Sequence, residues 1–548
     1  MKKPAVKSLL LAVLLTANGS VADSKPRDIV VYGGTSGGIV AAVQAAKSGR
    51  SVVLISPSKH LGGMTTSGLG WTDLGRDSIL GGLSREFYHQ LYRHYQNDAA
   101  WEWQQREDYH NKGQGVPALN DKTEIASTFE PKAAAAVFEA MLEEHSVPVV
   151  IGRLDLDDGV VMEDGRIREL RLDDGRGFAG RMFIDATYEG DLLPGAGVTF
   201  TVGRESNATY DEEFNGIQAG RARKNQLPDG IDPYVEAGDP ESGLLPGVNP
   251  GPGGEDGETD DRLQAFCFRM VLTDVPENRV KIAKPPGYDE ADFELLFRAI
   301  EAGQKGGFFK LDTMPNRKTD SNNRGGISTD FIGMNHGPDW DWTTLDYDQR
   351  VELAREHELW QRGMLWSLQN HPRVPEKIRE FYSPWGLAGD EFTDNDHWPH
   401  QIYVREGRRM VSDFVMTEHH CLREKTVPES IGLAAYTMDS HNVQRHVKNG
   451  MVKNEGDVQK YIPGPYPVSY RAIVPAEGEC ENLLVPWSLS ASHIAFGSIR
   501  MEPVFMILSQ SAVIAADLCL EENLAVQDLP YDTLRPALLE AGQALDVK

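Results

Sequence analysis

The chain has 548 residues, a formal net charge of −27, and 40% hydrophobic against 25% charged residues. That length exceeds what one hydrophobic core serves, so two or more domains are expected, and the 54 glycines and 31 prolines are spread along the chain as in a loop-rich globular protein. A field this negative repels phosphate backbones and anionic surfaces, which argues against nucleic acid as a partner.

The first 22 residues combine Lys2, Lys3 and Lys7, an apolar run from Leu9 to Leu15, and small residues at Ser20 and Ala22. This is the pattern of a secretory signal peptide, so a periplasmic or secreted protein is expected. The run is too short to span a bilayer and no later stretch approaches the ~20 apolar residues of a spanning helix, so no membrane span is predicted. Cys267, Cys421, Cys480 and Cys519 are widely separated and form neither a CxxC pair nor a CxxCH haem site. Two disulfides and isolated buried thiols are both compatible with that spacing.

From Asp28, DIVVYGG reads as a buried strand ending in a glycine turn, IVAAVQAAKSG as a helix closed at Gly49, and SVVLIS as a second strand. That order is the dinucleotide-binding βαβ unit, whose helix amino terminus receives a pyrophosphate through free N–H groups and the dipole. Against GxGxxG, Gly33 and Gly38 hold the first and third positions and Thr35 the middle one, where it offers a hydroxyl donor to a phosphate. Ser56, 23 residues after Gly33, stands where an acid usually holds the ribose. A second glycine cluster, HLGGMTTSGLG from His60 to Gly70, suits a backbone running along a ribityl and pyrophosphate.

A helical, aromatic-rich stretch covers residues 80–110. FEPKAAAAVFEAMLEEHSVPVVI then predicts a helix opening near Pro131 and a strand from Val147 to Ile151 that extends the parallel sheet. Turns at Asp158-Gly159, Asp164-Gly165 and Asp174-Gly175 mark a meander, after which Met182 to Ala186 return to the sheet. Residues 202–465 change in texture, with proline-, glycine- and acid-rich loops at 226–260, the stretch MNHGPDWDWTTLDYD and the helical run DQRVELAREHELWQRGMLWSL. They read as an inserted α+β substrate or cap domain. The segment from Glu481 to Leu520 supplies a strand at Leu483 to Pro486 and a long apolar helix from near Pro503. The expected division is a signal peptide at 1–22, a Rossmann-like α/β domain (parallel sheet with β-meander) in two parts at 28–201 and 466–530, the cap at 202–465, and a C-terminal tail at 531–548.

Together YGGTSGGIVAA, HLGGMTTSGLG, FIDATYEGDLL, YVREGRRMVSDF, DSHNVQR and SHIAFGSIRMEPVFM resemble the bacterial FAD-dependent oxidoreductase family, some of whose members are labelled xanthan lyase-like. FIDATYEGD also looks like the flavoprotein ATG motif with Tyr188 replacing its glycine. The resemblance covers most of the chain after the leader and implies FAD as cofactor, leaving the substrate open. It implies pyrophosphate binding by Gly33, Gly34, Thr35, Gly37 and Gly38, the adenosine ribose at Ser56, and the inner half of FAD at Gly62, Gly63, Met64 and Thr65. Val149 and Asp185 are counted with the same set. In related flavoproteins the last helix points its amino terminus at the flavin pyrimidine ring, which places residues 497–503, with Ser498 and Ile499, where dipole and N–H groups stabilise a reduced ring.

Oxidation by a flavin transfers a hydride and usually needs a base. His493 and Arg500, bracketing the loop before the last helix, are the expected base and the expected anion or carbonyl clamp. His441, Arg445 and Arg471 lie in segments that the resemblance places near the substrate. Arg405, Arg408 and Arg409 form a basic cluster in an acidic chain, read either as an anion site or as internal ion pairs. His419 and His420 are sequence neighbours, which rarely converge on one metal, and no metal site is predicted. His60 is weighed as a covalent flavin anchor.

The expectation is an exported FAD-dependent oxidoreductase acting on a small polar substrate, such as an alcohol group of a sugar. Its electrons leave to oxygen, a quinone or a redox protein. The alternatives are a flavin-dependent lyase or isomerase acting on oligosaccharide, and a non-catalytic carbohydrate-binding protein on a decayed nucleotide fold.

Overall fold

The computed structural model describes residues 25–335 and 341–547. The leader expected at 1–22, and residues 336–340 of the tryptophan-rich stretch, lie outside the described residues.

The apolar run of β1 (Arg27–Tyr32) is buried on both faces, as a central parallel strand requires. Gly33, at φ 112°, turns the chain into α1 (Ser36–Lys47), which returns to β2 (Val52–Ser56). The two strands pair in parallel, with Ile29 opposite Val52 and Tyr32 opposite Ile55. After α2 (Gly82–Tyr95) and α3 (Pro131–Glu144), β3 (Val149–Ile151) adds to the outer edge of β2. Pro131 opens α3 at the one turn where a missing N–H is harmless.

The predicted meander follows as β4 (Val160–Glu163), β5 (Arg166–Arg171) and β6 (Gly177–Asp185). β6 changes partner along its length. Its first residues run antiparallel to β5, and Gly180 to Asp185 run parallel to β1. The sheet order is β3-β2-β1-β6-β5-β4, with β7 (Leu483–Leu484) parallel to β6. Ligands of such open α/β sheets bind outside the carboxyl ends of the strands.

The second unit has its own core, from Leu227 to Val404, around a five-stranded antiparallel sheet whose central strand is Met270–Thr273. Its long helix α4 (Tyr347–Asn370) starts with a capping box between Asp346 and Gln349. The insertion is closed at its neck by pairing of Phe200 with Met410 and Thr201 with Arg409.

The chain therefore re-enters the first unit near residue 410, well before the expected 466. Met416, Ile431, Leu433 and Val468 all lie in the first core, while the hairpin of Gln444–Lys448 with Met451–Glu455 reaches back, burying Val452 in the cap, and His441 and Asp457 bond to Asp330 and Asn225 there. The last part of the first unit is α5 (His493–Ile499), α6 (Glu502–Glu522) and α7 (Tyr531–Glu540). The expected tail is thus an element: Leu534 and Leu538, one turn apart, are buried against the first core together with Leu545.

Against the sequence expectation, α6 is long and apolar enough to cross a membrane, but 89% of its apolar window is buried inside the protein, where it packs along α1. All four cysteines are buried free thiols.

Candidate functional site

At the start of α1, Thr35 caps the helix. Its Oγ1 accepts the Gly38 N–H at 3.1 Å and donates to the Ala186 carbonyl at 2.8 Å. The hydroxyl expected to reach a phosphate is therefore committed to the cap and to the exit of β6. The N–H groups of Ser36 and Gly37 keep the free orientation of a first helical turn. Gly38 is required by close approach, because a Cβ there would stand 1.8 Å from the Gly33 carbonyl oxygen. The second glycine cluster docks on the first, with the left-handed Gly62 (φ 99°) donating its N–H to the Gly34 carbonyl at 2.7 Å.

Ser56 ends β2 as expected, but its Oγ donates to the Ser58 carbonyl at 2.6 Å. Val149 opens β3 opposite Leu54, whereas the carboxyl end beside Ser56 is Ile151. Of this strand it is Ile151, not Val149, that lies at the carboxyl edge of the sheet. Asp185 is also displaced from its expected role. Its Oδ1 accepts the Thr187 N–H and hydroxyl and its Oδ2 the Leu192 N–H, which shapes the loop after β6, and burial pushes its carboxyl up to about 6.

The run GSIRMEP contains a helix end and a helix start. Arg500 leaves helical geometry (ψ 37°), and Pro503 sits in the first turn of α6, where proline is tolerated. Ser498 and Ile499 consequently belong to the last turn of α5. Ser498 donates to the Tyr436 carbonyl and accepts from Tyr466 at 2.7 Å, and Ile499 is core.

The residue that meets the cradle is Glu502, the first of α6. Its Oε2 accepts from Ser36 Oγ at 2.5 Å and Thr65 Oγ1 at 2.8 Å, and its Oε1 from the Tyr188 hydroxyl at 2.9 Å. The same hydroxyl accepts the Met64 N–H at 2.7 Å. One carboxyl thus joins α1, the second glycine loop and the loop after β6, and burial raises its pKa against these hydrogen bonds.

A small cavity beside it is bounded by Tyr188, Tyr403, Arg405, Trp487, Arg500 and Phe505. Trp487 Nε1, under Gly37, is a buried donor with no partner among the described residues. The glycine cradle, the helix start and this orphan donor fit FAD. Tyr188 and Trp487, which bound the cavity, meet edge-on with ring centroids 4.7 Å apart.

Three guanidinium groups surround Tyr403, with Arg269, Arg405 and Arg500 at 5.6, 4.8 and 5.7 Å from its ring centroid. Arg500 donates to the Tyr403 hydroxyl at 2.8 Å and to the Asp439 carbonyl at 3.1 Å, and its buried Nε has no partner among the described residues. Arg405 pairs with Asp330 at 3.0 Å. His493, the expected base, is 1% exposed and has both ring nitrogens engaged: Nδ1 by Glu406 at 2.8 Å and Nε2 by Ser440 Oγ at 2.9 Å. It is a positioning residue in this arrangement. His441 faces Asp330 through Nδ1 at 2.9 Å and Asp439 through Nε2 at 3.3 Å. Burial raises the Asp439 carboxyl, but His441 and Arg500 outweigh it and hold it well below the usual range.

The expected arginine cluster separates. Arg408 pairs with Asp191, and Arg409 with Glu205 and Glu406, which are internal ion pairs. Arg471, expected near substrate, pairs instead with Glu429 at 2.7 Å and donates to the Gln527 carbonyl, fastening the strand before it to the C-terminal segment. Arg445 is buried and donates to Asn454 at 3.2 Å.

His60 stacks on His400 at 3.3 Å, and both face Asp394, which also holds Lys59. These three residues bring ligand atoms within 4.8 Å of one another. Rings stacked so closely, however, would place a shared cation out of both imidazole planes.

The missed residues, Tyr403, Glu406, Ser440, Asp330 and Asp439, come from loops and short strands. Tyr403 and Glu406 stand in the motif YVREGRR, and Asp439 and Ser440 in DSHNVQR, yet nothing in their spacing pairs Glu406 or Ser440 with His493.

A parallel sheet with a glycine cradle at its carboxyl edge, closed by a buried helix start, defines a nucleotide-cofactor flavoprotein of Rossmann type. The sequence model of the family described as FAD dependent oxidoreductase matches residues 28–538, and the chain belongs to that family. FAD is accordingly its cofactor, and the protein is an FAD-dependent oxidoreductase. No curated protein matches the chain.

Among solved structures, a flavin-containing monooxygenase from Stenotrophomonas maltophilia is 18% identical, with 35% of this chain and 45% of that chain covered and a TM-score of 0.18. A thioredoxin reductase from Streptococcus pyogenes is 15% identical, with 29% and 35% covered and a TM-score of 0.16. A 3-ketosteroid dehydrogenase from Rhodococcus jostii is 16% identical, with 31% and 48% covered and a TM-score of 0.19. The chain spans less than half of each, and at those scores the likeness carries no argument.

Proposed function

We propose that this enzyme is exported and oxidises a small polar organic molecule, such as an alcohol group of a sugar, passing electrons on to oxygen, a quinone or a redox protein. The observation that carries this reading is the convergence of Tyr403, Arg405 and Arg500 on the cavity between the glycine cradle and the cap. When bound, FAD supplies a two-electron acceptor for a hydride leaving a substrate C–H bond.

The chain's own part is polar. Arg500, with its unpartnered Nε, orients a substrate oxygen. His441, less buried than His493, has both ring nitrogens committed to carboxylates, Nδ1 to Asp330 and Nε2 to Asp439, and so positions the polar end of the site. The Glu406–His493–Ser440 chain fixes Ser440 beside His441 and so holds that imidazole in place. Export rests on the basic and apolar pattern of residues 1–22.

The test is anaerobic mixing of the purified holoenzyme with sugars, sugar acids and small alcohols while the flavin absorbance is followed. Bleaching with oxidised product is expected. Product formed without any bleaching refutes the oxidation reading in favour of a lyase or isomerase. H441Q and H493Q should each slow bleaching, and H493Q should also shift its pH profile.

A further inference from the structure

The cap contains a cavity of about 340 Å³ that none of the chemistry above uses. That volume suits one six-membered ring with its substituents. One wall is a ladder of aromatic rings. Tyr288 stacks on Phe293 at 4.9 Å, Phe293 on Trp360 at 6.3 Å, and Trp360 on Phe331 at 4.8 Å with planes 7° apart. Flat apolar faces of this kind take up the face of a ring.

The opposite feature is a single cation. Arg445 lines the cavity and is 3% exposed, and its Nη2 is buried without a partner among the described residues. Asp330, the carboxylate whose charge acts on Arg445, makes its ion pairs elsewhere, with Arg405 at 3.0 Å and His441 at 2.9 Å. Gly247, with no side chain, leaves the other end of the guanidinium open: a Cβ there would lie 3.9 Å from Nη1. A buried guanidinium edge without a carboxylate is a costly feature to keep unless a ligand supplies the anion. Burial lowers the Arg445 pKa to about 10, which still leaves it a cation at neutral pH.

We propose that this cavity binds a small ring-bearing carboxylate, with the carboxylate on Arg445 and the ring face on the Trp360–Phe331 wall. Phe331 of the wall directly follows Asp330, which pairs with Arg405 of the flavin-side cavity. The acid held there is the candidate substrate, with Asp330 and Arg405 between its site and the flavin-side cavity. The word substrate rests on the oxidation reading given above. The binding site does not.

The experiment is calorimetric titration of the holoenzyme with glucuronate, glucose, cyclohexanecarboxylate and cyclohexanecarboxamide. Both acids should bind, and each should bind at least tenfold more tightly than its neutral counterpart. Which acid binds more tightly tells a sugar acid from a non-sugar one. R445Q should weaken the acids about 10- to 100-fold, the range of a hydrogen bond to a charged group, and erase the discrimination.

Should R445Q not fold, E356Q serves instead. Glu356 lies on α4 one turn before Trp360 and lines the same cavity, so removing its negative charge should tighten acid binding severalfold. Equal binding of acids and neutral partners, or an unchanged R445Q, overturns the proposal. A bound acid that fails to bleach the flavin counts against the oxidation reading and leaves the site standing. Bleaching by a compound that W360A and R445Q both accept unchanged counts against the site.

Discussion

Gly38→Ala is the sharpest test of the cradle. The added methyl would stand 1.8 Å from the Gly33 carbonyl oxygen and 3.3 Å from the Ala186 Cβ. Ordinary contact between carbon and oxygen is roughly 3.2 Å or more, so the start of α1 and the glycine turn must separate by over 1 Å. Neither side is a flexible side chain. Overpacking of this kind costs about 1–3 kcal/mol of stability, and a clash with backbone belongs at the upper end.

The functional consequence is larger. Displacing the helix start also displaces the N–H groups that take a phosphate, each worth about 1.5–3 kcal/mol as a charge-assisted bond, so a loss of at least 100-fold in FAD affinity is expected. The assay is flavin absorbance per protein after dialysis, followed by FAD titration of the stripped protein. Gly49→Ala is the control. Its φ is 74° with nothing within 4 Å, so it should cost about 1–2 kcal/mol of strain and leave FAD affinity alone. A folded G38A that retains stoichiometric FAD at wild-type affinity refutes the cradle argument.

Glu212 gives a pH prediction. Burial, with Glu418 and Glu205 nearby, pushes its carboxyl up to about 7, so the fold favours the protonated form. That stability is fully present below about pH 4.5 and is lost as pH rises through 7, by ~3 kcal/mol. E212Q should match the wild type near pH 5 and exceed it at pH 8 in urea unfolding, and an identical pH dependence in both proteins contradicts the assignment. Y188F removes the acceptor of the buried Met64 N–H and a donor to Glu502. It should cost about 1–3 kcal/mol and lower FAD occupancy, as read by thermal unfolding and flavin absorbance. R471A should lose about 1 kcal/mol with its partly exposed ion pair and leave the rate of flavin reduction unchanged, whereas a large drop in that rate would restore Arg471 to the reaction site.

Features encoded over a few residues were legible. The order of β1, α1 and β2 follows from apolar runs and a glycine turn, and the meander from Asp-Gly turns such as Asp164-Gly165, both at positive φ. The second glycine cluster was legible as a loop of bare backbone, and its docking on the first, through the Gly62 to Gly34 hydrogen bond, came only with the structure. The domain boundary failed where local pattern is silent. Residues 416–465 are short strands and loops whose side of the molecule is set by pairing partners far along the chain, such as Ser430–Ala434 with Tyr466–Ser469.

By itself, then, the sequence determined a dinucleotide cradle, because strand period, helix period and glycine geometry are properties of neighbouring residues. Tertiary structure decided what meets that cradle. Glu502 and Ser36 are 466 positions apart and touch at 2.5 Å, and His493 finds Glu406 and Ser440 from two other segments. Arg445 owes its unpartnered edge to Asp330 being taken by Arg405 and His441. Spacing along a chain carries no record of such contacts, since they depend on how separate elements pack once their apolar faces are buried.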